Sequence, residues 1–80
     1  MNNYTPTAEE IEKHFSAMTD SVNLINALVE AADKSDENKD STKRNYEHLE
    51  IMLGKDFIAG DSRDKSSFEN AIAAGKSFIA

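Results

Sequence analysis

Apolar side chains recur along the first part of the chain at Ile11, Phe15, Met18, Val22, Ile25, Val29 and Ala32. The steps between them are 4, 3, 4, 3, 4 and 3. That spacing keeps one seam on one face of a helix for three heptads. Leu24 and Leu28 widen the stripe on one flank, and Glu12, Ser16, Thr19, Asn23 and Glu30 lie opposite. Thr7-Ala8-Glu9-Glu10 forms a capping box ahead of it, the threonine accepting from a free backbone N–H and Glu10 bonding back. The pattern predicts a first helix over 8–34. Thr19-Asp20-Ser21 is an alternative start for a second helix, but the apolar phase passes through it without a slip. Residues 1–6 are expected to be an extended lead-in closed by Pro6.

Residues 33–42, DKSDENKDST, hold no large apolar side chain and predict a loop or a frayed helix start. Ser35, Asp36, Asp40 and Ser41 are its candidate caps. A second helix is expected over 41–59, with Tyr46, Leu49, Leu53 and Phe57 on one face and Met52 at its edge. Ile51 and Ile58, seven residues apart, fall roughly opposite that face, beside Glu47. Gly54 is a candidate left-handed stop, and Gly60 a second. After the polar turn Asp61–Lys65, Ser66-Ser67-Phe68-Glu69 reads as another capping box. A third helix over 65–79 aligns Phe68, Ile72, Gly75 and Ile79, flanked by Ala71, Ala74 and Phe78. The small residues there let a neighbouring helix approach closely. The whole predicts an all-α fold, a small three-helix bundle with a long first helix. One difficulty follows from length. The first helix spans roughly 40 Å and the others nearer 25 Å, so a single short partner leaves part of the long seam uncovered.

With 80 residues the natural expectation is a single domain over 1–80. Three glycines and one proline suit helices better than a turn-rich β fold. The absence of cysteine removes disulfides, thiolate metal sites and cysteine nucleophiles, and suits a cytoplasmic location. No apolar run approaches a membrane span, and the first residues lack a basic region followed by an apolar core. Asn3-Tyr4-Thr5 matches a glycosylation acceptor, which without such a signal carries little. The net charge is −6, which disfavours phosphate backbones as partners. It is unevenly spread, the first 34 residues holding six acids against two bases.

Asp36–Glu47, DENKDSTKRNYE, has the acid spacing of a calcium loop. Asp36, Asn38 and Asp40 stand at the side-chain ligand positions, Thr42 would give its carbonyl, and Glu47 would close the site. Ser41 stands where the sharp turn needs glycine, Lys43 where an aliphatic residue belongs, and Arg44 where an oxygen should sit. Lys39, Lys43 and Arg44 repel a divalent cation. No metal and no cofactor are therefore expected. His14 and His48 have no metal-ligand spacing, although Glu10 and His14 are helical neighbours able to pair. No phosphate-binding loop, nucleophile elbow or acid–base constellation is present, and the chain is expected not to be an enzyme.

The strongest positive signal is surplus apolar surface. Leu24, Leu28, Ile51 and Ile58 are the expected contact residues for a protein partner or for self-association, since exposed apolar patches mark interaction sites. The runner-up is an acidic inhibitor or nucleic-acid mimic. It would present Glu9, Glu12, Asp20 and Glu30 to a basic protein surface, although these four carboxylates are sparse beside the charge density of a duplex. The stretch NYEHLEIMLGKDFIAGD followed by FENAIAAGKSFIA resembles the C-terminal halves of small acidic helical proteins encoded by bacteriophages. The resemblance covers about half of the chain. It implies a phage accessory or virion-associated protein, in the host cytoplasm or the virion, serving as a small structural subunit or as an inhibitor of a host protein. It brings no named family and no functional residues.

Overall fold

A computed structural model of the chain describes residues 5–80. Most of the expected lead-in, with Asn3 and Tyr4 of the acceptor triplet, lies outside them. The described residues are all-α: α1 (Ala8–Ala31), α2 (Asp36–Leu53), α3 (Asp56–Ala59) and α4 (Ser66–Ile79). The three long helices pack around one core, with overall extents of 43 × 27 × 18 Å.

α1 begins where its capping box puts it. The Thr7 hydroxyl accepts from the Glu10 N–H at 3.2 Å, and Glu10 Oε1 accepts from the Thr7 N–H at 3.2 Å. The helix is continuous through Asp20. Its seam is the core: Phe15, Met18, Val22 and Ile25 are buried, and Ile11 and Val29 pack against them half-buried. Burying each such side chain contributes roughly 1.5–3 kcal/mol. α1 stops at Ala31, three residues short of the expectation, because Ala32 turns into the left-handed region at φ 56° and ψ 24°.

The expected loop over 33–42 shrinks to residues 32–35. Ser35 caps α2 by accepting from the Asn38 N–H at 3.2 Å, and the Asn38 side chain reaches back to the Asp33 carbonyl at 2.9 Å. Asp36 and Glu37 then sit in the first turn, where the helix dipole favours anions. The buried line of α2 is Thr42, Tyr46, Leu49 and Met52, so Met52 is central rather than marginal. Thr42 is fully buried and its hydroxyl donates to the Asn38 carbonyl at 2.8 Å. Across from it lies Gly75 of α4. A Cβ added there would meet Thr42 Cγ2 at 3.2 Å and Tyr46 Cδ2 at 3.1 Å, so glycine sets the close approach of α2 and α4.

The second expected helix, 41–59, is in fact two. Gly54 ends α2 in the ordinary right-handed region, at φ −81° and ψ −8°, not as a left-handed stop. Lys55 is extended, at φ −80° and ψ 133°, and α3 starts afresh. The break re-aims the following side chains. Ile58 becomes fully buried, and Phe57 lies against the His14 ring with centroids 5.3 Å apart. α3 thus adds a contact with the first half of α1 through Phe57 and His14. α4 lies along the other flank, from the Phe15–Phe68 ring contact at 5.9 Å to Lys34 over the Phe78 ring at 5.6 Å. Together they resolve the difficulty of the long seam. The inward line of α4 is Phe68, Ala71, Gly75 and Phe78, with Ile72 and Ile79 half-buried beside it. Its start also differs from the expected capping box: Asp64 accepts from the Ser66 N–H at 3.0 Å and from the Ser66 hydroxyl at 3.0 Å.

Candidate interaction surface

Two large apolar side chains among the described residues remain exposed: Leu24 at 42% and Ile51 at 62%. Their positions follow from one bond. Ser21, buried on the flank of α1, meets His48 of α2 through Oγ and Nδ1 at 3.0 Å. Leu24 lies one turn beyond Ser21, and Ile51 one turn beyond His48. The helices are antiparallel, so the two side chains lie diagonally on either side of that bond, about 9 Å apart along the bundle axis. Leu28, half-buried one turn beyond Leu24, extends the strip. Of the four apolar residues expected to meet a partner, Leu24, Leu28 and Ile51 thus lie along the outer α1–α2 flank. Ile58 does not: the break in the helix at Lys55 turns it into the core.

The acidic face has a different character. Glu9, Glu12, Asp20 and Glu30 are all exposed along α1. Glu12 is engaged, with Arg63 Nη2 at 2.8 Å from its carboxylate. The same guanidinium bonds Asp61 through Nε at 3.1 Å and lies over the Phe15 ring at 4.1 Å. Beside it runs an open trough of about 320 Å³, with Phe15 and Phe68 as floor and Ser16, Thr19, Asp20 and Asp64 on its walls. The N–H of Ser66, then its hydroxyl, hold the Asp64 carboxyl below its ordinary range. Between α2 and α4, Lys76 bonds Glu50 at 2.8 Å, and that hydrogen bond raises the lysine above its ordinary value.

The stretch with calcium-loop spacing is helical from Asp36 onward. Successive residues of a helix point about 100° apart, so Asp36 and Asp40 share one face while Asn38 points away from both, and the three do not converge as a calcium loop requires. Among the described residues no three His, Asp or Glu side chains gather as a metal site. Ser21–His48 and the Arg63 clamp escaped the sequence reading. Ser21 sits three residues past Met18 on the seam's edge, which marks it as a helix–helix contact, but its partner 27 positions away has no local signal. Compared against family models, curated proteins and solved structures, the chain has no match to any.

Proposed function

We propose that the chain is a non-catalytic protein-interaction module that binds a partner protein through the outer α1–α2 flank. One observation carries this reading. Nearly every large apolar side chain of the described helices is buried or half-buried, while Leu24 and Ile51 stand exposed on one flank with Leu28 beside them. Desolvating two or three such side chains supplies roughly 1.5–3 kcal/mol each, enough to decide an association. The surrounding acidic charge sets partner choice and solubility. The bacteriophage resemblance extends this to a small accessory or structural subunit acting in the host cytoplasm or the virion.

The second reading, an acidic inhibitor of a basic surface, draws on Glu9, Asp20 and Glu30, for which no ion pair forms among the described residues. Glu12, already neutralised by Arg63, weakens that face. The test is affinity capture from the native host, comparing the wild type with a Leu24→Ser/Ile51→Ser variant and a Glu9→Gln/Asp20→Asn/Glu30→Gln variant. The apolar reading expects a stoichiometric partner that the first variant loses and the second keeps at moderate salt. Loss confined to the second variant, with steep salt dependence, would replace it with the acidic reading.

A further inference from the structure

The link between α1 and α2 holds the one non-glycine residue at positive φ among the described residues, Ala32. In that region a Cβ crowds the neighbouring carbonyl. Glycine or asparagine commonly relieves this, yet the link reads Ala32-Asp33-Lys34-Ser35. It holds no proline or glycine, and alanine and lysine are good helix formers; the side chain that favours a boundary there is the Ser35 cap. The three-and-four spacing also continues through it, with Ser35 and Lys39 standing at two of its positions in place of apolar side chains. Positions 25, 29, 32, 35, 39, 42, 46, 49 and 53 keep spacings of three and four, joining the seam of α1 to the buried Thr42, Tyr46 and Leu49 of α2. The one irregularity is two consecutive threes, 29–32–35, a stammer that a coiled coil absorbs by local overwinding. A continuous helix over 8–53 is therefore compatible with the sequence and frees Ala32 from its left-handed turn, but it lifts α1 off its own α2 and α4.

We propose that the chain exchanges α1 with a second copy of itself, the 32–35 link opening into helix so that α1 of each chain packs on α2 and α4 of the other. Exchange of an identical element is a low-cost route to a dimer, because contacts made within one chain re-form between two. Here those contacts are the seam, the Ser21–His48 bond, the Phe15–Phe68 rings and the Arg63–Glu12 pair. What differs between the two forms is the hinge. The closed form keeps the Ser35 cap and the Asn38–Asp33 bond; the open form relieves Ala32. The proposal is independent of the Leu24–Ile51 strip, which stays on the surface in both forms.

The experiment is to unfold the full chain, refold it at millimolar concentration and measure mass by light scattering after size exclusion. The wild type is expected to yield a species of twice 8.9 kDa that reverts slowly on dilution. Ala32→Gly relieves the closed turn by about fivefold per chain and disfavours the open helix by about a further fivefold per chain. With two hinges per dimer, the dimer-to-monomer equilibrium should fall several-hundred-fold. Leu24→Ser/Ile51→Ser should leave the dimer in place. A wild type that refolds only as monomer overturns the proposal. So does a dimer that Ala32→Gly leaves undiminished, or one that the surface double variant abolishes.

Discussion

Ile51 and Ile58 stand seven residues apart, and in one continuous helix they would share a face. Ile51 is 62% exposed and Ile58 is wholly buried. The difference comes from a single extended residue, Lys55, between the end of α2 and the start of α3. Two side chains of identical chemistry and apparent register thus divide between solvent and core. A heptad spacing assigns a common face only as far as the helix itself is unbroken.

The sharpest test of that contrast is a matched pair of substitutions. Ile58→Ser should destabilise the fold by about 3–4 kcal/mol, through lost burial and a hydroxyl placed in apolar surroundings. Ile51→Ser should shift it by no more than about 0.5 kcal/mol. Urea midpoints at constant slope measure both, and equal losses would mean that the break at Lys55 is absent in solution. A smaller effect is expected at Arg63, which ties the segment after α3 to Glu12 and Phe15 of α1. Arg63→Ala should cost about 1 kcal/mol, the sum of a solvent-screened ion pair and a cation–π contact. In the Arg63→Ala background, Glu12→Ala should then add little.

Gly54→Ala should act in the opposite direction. Its added Cβ meets only Ile51 O at 3.4 Å and Glu50 O at 3.7 Å, and its φ suits any residue. Stabilisation of about 0.5 kcal/mol is expected; a loss would show that glycine, not Lys55, makes the break. The smallest effect concerns acid. Asp64 has a lowered folded pKa, so its contribution is present above the unfolded value and fades as pH falls through the folded one. Asp64→Asn should therefore lose less thermal stability than the wild type between neutral pH and pH values below the ordinary carboxylate range.

Much of this architecture was legible in the residues. The α1 capping box and seam located the longest helix, and all-α followed from the composition. The boundaries were not legible where several polar residues compete for one role. Ser35, Asp36, Asp40 and Ser41 all can cap, and the selection of Ser35 depends on Asn38 reaching back to Asp33, a contact that no local propensity encodes. Of the apolar surplus at Leu24, Leu28, Ile51 and Ile58, Leu24 and Ile51 are exposed and Leu28 is half-buried. Ile58 was misplaced because a break made by one extended lysine leaves the apolar spacing intact. The capping role of Asp64 was hidden by the more conspicuous Ser66–Glu69 pair.

The Ser21–His48 bond has a consequence for how firmly α1 and α2 stay joined. A hydroxyl both gives and accepts a hydrogen. When Nδ1 carries no hydrogen, Ser21 donates to it. When Nδ1 carries the hydrogen, in the other tautomer, the ring donates to Oγ, and the hydroxyl hydrogen is free to turn to the carbonyl one turn back, as helical serines do. A side chain that only accepts, or only donates, would hold one tautomer alone. With serine, the two longest helices are fastened whichever ring nitrogen holds the hydrogen.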